Sequence, residues 1–205
     1  MDKNISNYFE EYKTKSKEKI EENKFLSIEA YSIKLNNGKI IKREKILKNK
    51  SDGSAAIVLP ITEDNKVILA IEPRVFTEKT VDVGVPAGYI EEGEEAVVAA
   101  QRELLEETGY YSDNLLEIGK FYQDQGCSEA LNHYFIAQNC VKVTDQKLDE
   151  SEFIKFVEVS LDELYELYNS GYITGLNSAY LIEASIKYLN KNLKENPRQY
   201  IKRRD

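Results

Sequence analysis

The sequence predicts an α+β chain, an α/β/α sandwich around a mixed sheet, with a small N-terminal β unit ahead of it. Three observations carry this expectation. Apolar runs of strand length stand on both sides of one uninterrupted helical segment, two further helical segments close the chain, and no internal repeat relates one part to another.

From about Ile5 to Glu22 the chain is rich in Lys and Glu, with sparse apolar positions at Ile5, Tyr8, Phe9, Tyr12 and Ile20, and predicts a mostly solvated helix. SIEAYSIKL and KIIKREKIL, joined at Asn36-Asn37-Gly38, predict a hairpin, because Asn-Gly accepts the positive φ angles of a tight turn. Helix and hairpin form an N-terminal unit over residues 1–50. After the turn Ser51-Asp52-Gly53, SAAIVLPIT and KVILAIEPR flank the polar turn Glu63-Asp64-Asn65 and predict buried strands of a mixed sheet. Beyond VDVGVPAGYI the period changes. Residues Glu94 to Thr108 contain neither Gly nor Pro, and the helix they predict stops at Gly109. LLEIGKFYQ, LNHYFIAQNCVKV and FIKFVEVS return to strand character. SLDELYELYNSG predicts a helix capped by Ser160 and ended by Gly171, and ITGLNSAYLIEASIKYLNKNL predicts the last helix. The main domain then spans residues 51–195, and Pro197 introduces a basic tail within residues 196–205.

Composition narrows the classes of function. A chain of 205 residues with 41% hydrophobic and 31% charged residues can bury a real core, so disorder and fibrous classes are excluded. A net charge of -8 argues against a protein that grips nucleic acid through a basic face. It leaves a phosphorylated small molecule open, since local arginines and metal ions reverse the field inside a site. The Arg198 to Arg204 stretch reads as a solvated tail more readily than as a polyanion contact. Cys127 and Cys140 have neither CxxC spacing nor histidine partners and are read as reduced thiols. The N-terminus carries charges every few residues, unlike a signal peptide, and no run approaches the ~20 apolar residues of a membrane span. The expectation is a soluble cytoplasmic protein with no membrane partner.

The chemistry gathers in GYIEEGEEAVVAAQRELLEETGY, Gly88 to Tyr110. Glu103, Glu106 and Glu107 stand at i, i+3 and i+4, which places three carboxylates on one helix face. Like charges so placed repel, and they are tolerated either when fully solvated or when a cation neutralises them. All-oxygen donors suit Mg²⁺ or Mn²⁺ better than zinc. The turn Pro86-Ala87-Gly88 could bring a backbone carbonyl to the same ion. Taken alone, the three glutamates fit an acidic, solvated helix face more readily than a metal site.

The neighbouring residues change that balance. Gly88, Glu94, Arg102, Glu103, Leu104, Glu106, Glu107 and Gly109 match GX5EX7REUXEEXGU, the Nudix box, without insertion or deletion, and the chain resembles the Nudix hydrolase family. Only the last position departs, being Tyr110 in place of an aliphatic residue. The resemblance implies an α/β/α Nudix sandwich that hydrolyses a pyrophosphate bond with Mg²⁺, for which Mn²⁺ may substitute. It makes Glu103 and Glu107 the principal metal ligands, Glu106 a further or water-mediated ligand, and the carbonyl of Ala87 a backbone ligand. Arg102 and Glu94 would orient the carboxylates. Gly88 and Gly109 would permit backbone turns at the two ends of the motif.

Beyond the box, over roughly residues 27 to 190, AAIVLPITEDNKVILAIEPR, VPAGYIEEGE, FYQDQGCSEALNHYFIA and DESEFIKFVEVSLDELYELYNSGYIT resemble the ADP-ribose pyrophosphatase branch. Other nucleoside diphosphate sugar hydrolases share that pattern. The branch implies that Arg74 meets the substrate's phosphates, that Glu129, Gln125 and Gly126 lie near the substrate, and that the loop before Phe153 supplies a base, Glu152 first and Glu150 second. It also implies a homodimer formed through the N-terminal β unit. His133, the single histidine, lies inside a predicted strand and is read as structural. Two departures stand out. Gln125 occupies a place where the branch commonly has proline, and Gly84 one where it often has glutamate. Both bear on substrate choice: ADP-ribose, giving AMP and ribose 5-phosphate, is expected to share the site with other nucleoside diphosphate sugars. The alternative reaction is hydrolysis of a nucleoside triphosphate or dinucleoside polyphosphate.

Overall fold

The structure, a computed structural model, describes residues 3–19, 25–48 and 51–195, with backbone alone over 187–195. The basic tail expected within 196–205 lies outside the described residues. An eight-stranded mixed sheet forms the centre. Its main path runs β10 (Lys155–Val159), β4 (Val67–Pro73), β3 (Ala55–Thr62), β9 (Leu131–Lys142), β7 (Tyr110–Tyr111). Three further strands pair off that path: β5 (Val81–Gly84) with β4, β6 (Ala87–Tyr89) with β3, and β8 (Asn114–Tyr122) with β9. The β3–β9 pair is parallel and the others are antiparallel.

Strand periodicity sorts the core into two layers. Ile57, Leu59, Val67, Leu69, Ile71, Tyr134 and Ile136 face one side, where α1 (Lys3–Tyr12), α3 (Leu161–Asn169) and α4 (Leu176–Glu195) pack through Ile5, Phe9, Leu164, Leu167, Leu181 and Ile182. Ala56, Val58, Ile68, Phe135 and Ala137 face the other, against Ala99, Ala100 and Leu104 of α2 (Ala96–Thr108). A sheet apolar on both faces needs helices on both, which is the predicted α/β/α sandwich. Among the described residues no helix is long and apolar enough to cross a membrane.

Several expected elements are redrawn. The helix expected over Ile5 to Glu22 is shorter, since α1 ends at Tyr12; Ile20 to Glu22 lie outside the described residues. It is also less solvated: Ile5 and Phe9 are buried in the core of the large sheet, because the apolar positions at 5, 8, 9 and 12 form one stripe. The helix thus packs with the main sheet, while β1 (Leu26–Lys34) and β2 (Ile40–Lys48) form a two-stranded sheet of their own. Every residue of β1 is exposed. α3 follows its sequence signals closely: Ser160 accepts from Glu163 N, and the Glu163 side chain accepts from Ser160 N, a reciprocal capping box. β5, β6 and β7 are too short, at four, three and two residues, to show a strand period in sequence.

Candidate active site

Helix α2 begins after the turn Glu91–Glu94 and ends at Gly109, whose φ of 73° is left-handed. Its spacing brings Arg102 beside three carboxylates. Arg102 Nε and Nη2 donate to the two oxygens of Glu94, each at 2.9 Å, a bidentate pair. Nη1 donates to Glu103 Oε1 at 2.7 Å and Glu106 Oε2 at 3.2 Å, and Nη2 also donates to the carbonyl of Tyr89 at 2.9 Å. These hydrogen bonds hold Glu94 below the usual carboxylate range. One guanidinium thereby fastens the entry loop, strand β6 and two glutamates of the helix face.

Glu107 takes the opposite environment. It is 4% exposed, and its Oε2 accepts the backbone N–H of Ala87 at 3.2 Å. Burial first, then the charges of Glu103 and Glu72, raise its carboxyl pKa well above the ordinary value. Glu103 is 7% exposed and is also raised, by burial first and only partly relieved by Arg102. The solvated acidic face is thereby excluded for these two; Glu106 is the more exposed member. Arg102 offsets only part of this at Glu103, and no cation is among the causes that act on Glu107.

Gly88 serves a purpose other than the turn expected of it. It lies in β6, where a Cβ would come within 2.0 Å of the Glu103 carboxyl, so glycine is needed for close approach of that side chain. Gly109 does provide a turn, and a Cβ there would also meet the Thr144 carbonyl at 2.1 Å.

The loop after β9 is tied to the C-terminal end of α2. Lys147 N donates to the Glu106 carbonyl at 2.9 Å, and Gln146 Nε2 donates to the carbonyls of Glu107 and Ile154. This satisfies helix carbonyls that would otherwise be orphaned and carries Glu152 toward the box. The Glu152 charge acts on Glu72, Glu103 and Glu107. Its own carboxylate accepts from Asp149 N at 3.0 Å, whereas Glu150 is exposed at the turn.

Beside the box lies a cavity of about 410 Å³ whose lining includes Ala87, Glu72 and Arg74. Arg74 pairs with Glu72, two residues earlier on β4. Glu129, Gln125 and Gly126 lie elsewhere, in the β8–β9 loop and outside that lining. Glu129 pairs with Lys45 of β2 at 3.1 Å, Gly126 N donates to Asp124 at 2.9 Å, and Gln125 is exposed. His133 Nδ1 lies 2.8 Å from Glu117 on the neighbouring strand. Sequence reasoning missed Glu72 and Asp82, both in the cavity lining; the signal was a charged residue inside an otherwise apolar run, IEP and VDV.

The NUDIX domain family model matches residues 52–174. The chain belongs to the Nudix family. Among relatives, the ADP-ribose pyrophosphatase of Bacillus subtilis (strain 168) is 36% identical over 84% of this chain and 91% of that protein. The methanol dehydrogenase activator of Bacillus methanolicus is 34% identical over 76% and 81%. The GDP-mannose pyrophosphatase of Salmonella arizonae is 27% identical over 70% and 78%. The crystal structure of an ADP compounds hydrolase superposes with a TM-score of 0.70 at 22% identity, covering 85% of this chain and 92% of that one, and so shares the Nudix fold.

Among the described residues no three acidic, imidazole or thiol groups are gathered closely enough to hold a metal ion as they lie. Part of the reason is visible: Arg102 draws Glu103 Oε1 and Glu106 Oε2 to itself. The donor chemistry nevertheless fits, because the oxygens of Glu103 and Glu107 are hard donors whose mutual repulsion in a buried place a cation would neutralise.

Proposed function

We propose that the chain is a hydrolase of the pyrophosphate bond in nucleoside diphosphate derivatives, with ADP-ribose, cleaved to AMP and ribose 5-phosphate, as the main substrate. One observation carries the reading: two buried, mutually repelling carboxylates, Glu103 and Glu107, stand beside a cavity that presents Arg74. The identity of 36% to an ADP-ribose pyrophosphatase supports the choice of substrate. The GDP-mannose pyrophosphatase relative supports other nucleoside diphosphate sugars as competitors.

Nudix enzymes generally use divalent cations; here Mg²⁺, with Mn²⁺ as substitute, would be held by Glu103 and Glu107, with Glu106 and the carbonyl of Ala87 completing the set. When bound, such an ion supplies positive charge against the diphosphate oxygens. The chain's own residues do the rest. Arg74 binds and orients the phosphates, Arg102 and Glu94 keep Glu103 and Glu106 on the working face, and Glu152 removes a proton from the attacking water. Glu152 is preferred to Glu150 because its charge reaches the buried glutamates.

The β1–β2 hairpin would form the homodimer contact. A two-stranded sheet exposing Leu26, Ile28, Tyr31, Ile33 and Ile40 is only marginally stable alone. As a unit it is proposed to be distinct from the Nudix domain. Two unpaired cysteines, Cys127 and Cys140, suit the reducing cytoplasm.

The test is kcat/KM for ADP-ribose, ADP-glucose, UDP-glucose, GDP-mannose, diadenosine polyphosphates and nucleoside triphosphates, with Mg²⁺ and with EDTA. ADP-ribose should lead with a second diphosphate sugar within about tenfold, ~1.4 kcal/mol, and EDTA should abolish turnover. A triphosphate or dinucleoside polyphosphate ahead by about tenfold or more would overturn the substrate.

A further inference from the structure

The cavity beside the box runs from Ala87 and Arg74 to the first turn of α4, where Asn177 and Ser178 line it. That end is a polar wall. Asn177 Oδ1 accepts from Asn132 Nδ2 at 3.0 Å and from Tyr134 Oη at 2.8 Å. Two donors on that oxygen fix the carboxamide's orientation and leave its NH₂ as the group turned from the tether. Asn132 is 1% exposed, and its Oδ1 has no hydrogen-bond partner. A buried amide in the cavity lining with half its capacity unused is costly unless something else uses it.

Asp82 adds an acceptor. It lies on β5 next to the same turn, takes backbone N–H groups of Val83 and Thr174, and lines the cavity. Room for it is made by Gly84, where a Cβ would come within 2.7 Å of Ser178 Oγ and 3.0 Å of Asp82 Oδ2. The glycine that departs from the branch pattern is thus what admits the carboxylate and hydroxyl to this wall.

We infer that this polar wall, with Asn177 as donor and Asp82 as acceptor, holds the glycosyl group of the substrate and sets which sugar is accepted. The inference rests on the pyrophosphatase reading above and deepens it. A donor and an acceptor lining one cavity complement a vicinal diol, each of whose hydroxyls both gives and takes a hydrogen bond. A phosphate is disfavoured there by the carboxylate of Asp82, whereas Glu72 is paired with Arg74, the residue that takes the phosphates. The aromatic part of the lining packs edge to face: Phe121 and Tyr180 meet at 5.0 Å and 74°, Tyr134 and Tyr180 at 4.7 Å and 68°. Rings packed edge to face form no parallel slot to sandwich a base, and their apolar surface suits the C–H face of a sugar. Asn132 and Tyr134 act through Asn177 and are positioning residues.

The experiment measures calorimetric Kd for ribose 5-phosphate and for AMP on the full chain and on two variants. Asn177→Asp keeps an oxygen for Asn132 and Tyr134 but loses the amide donors; Asn177→Leu loses both. The added charge of the first weakens both phosphorylated ligands, so the quantity read is the ratio of the two Kd values. We expect that ratio, ribose 5-phosphate over AMP, to rise about tenfold in each folded variant. An unmoved ratio, or one that falls because AMP is the ligand lost, overturns the inference. Turnover of the wild-type chain is scored separately with the substrate panel. A chain that cleaves the panel with an unmoved ratio refutes the sugar wall alone, whereas one that shows the ratio change but cleaves nothing refutes the hydrolase reading alone.

Discussion

Substituting Gly88 by alanine tests the geometry of the acidic face without touching a charge. A Cβ at that position would lie 2.0 Å from the Glu103 carboxyl, against about 3.4 Å for ordinary contact, so the carboxyl must move by about 1.4 Å. The backbone of β6 is paired with β3 and gives way less readily than the end of a glutamate. The moved group forfeits its 2.7 Å bond to Arg102, while Arg102 keeps Glu94 and the Tyr89 carbonyl. Losing one hydrogen bond of this kind costs about 1–3 kcal/mol, a fall in Tm of about 2–12 °C. Catalysis should suffer much more, since misplacing a group at the reacting centre by ~1 Å costs about a hundredfold. We therefore expect Gly88→Ala to be folded by circular dichroism, with kcat/KM for ADP-ribose reduced about a hundredfold or more. Gly109→Ala is the contrast. Its Cβ would meet a backbone carbonyl at 2.1 Å and its φ is 73°, so it should lose more stability than Gly88→Ala. A Gly88→Ala enzyme within about threefold of wild type would refute the argument that Glu103 must occupy that space.

Glu107→Gln should lose most turnover yet stabilise the protein in EDTA at pH 7–8. Its raised pKa means that the ionised form opposes folding above that value, so the gain should vanish as pH falls to about 4, near the unfolded pKa; a thermal-shift series that shows no pH dependence would count against it. Glu152→Gln should lower kcat about a hundredfold with little change in KM, measured by steady-state kinetics, and Glu150→Gln should not. Ser160→Ala should cost about 1 kcal/mol through loss of the capping box, a fall in Tm of about 2–4 °C read by calorimetry with turnover retained.

Much of the architecture was legible because its signals are local. The helix ending at Gly109, the Ser160 cap and the hairpin turn at Gly38 each depend on residues a few positions apart, and each appears in the structure. The box glutamates were legible for the same reason, as i, i+3, i+4 on a helix states a shared face. Burial was not. Three glutamates at that spacing read more readily as solvent-facing until β6 and the packed sheet bring Ala87 N onto Glu107 and Gly88 against Glu103. The course of α1 was misjudged because charge density masked a four-residue apolar stripe, and stripe position rather than mean polarity decides which face is buried.

What could not be read is whatever joins distant segments. Asp82, Asn132 and Asn177 lie on β5, β9 and α4, and no spacing in the chain relates them. Each is an ordinary polar residue in its own segment. Their meeting depends on β3 lying between β4, which pairs β5, and β9, and on the close approach of the turn before α4 to Asp82, where a Cβ on Gly175 would come within 3.3 Å of Asp82 Oδ2. The box can therefore announce bond cleavage from sequence while the sugar wall cannot announce selectivity. The first needs only one helix to keep its spacing, whereas the second needs three elements to hold their separation to within a hydrogen bond. Substitutions in the core between β5 and α4, such as at Val83 or Leu181, should accordingly change the preference among sugars before they change the ability to cleave the pyrophosphate.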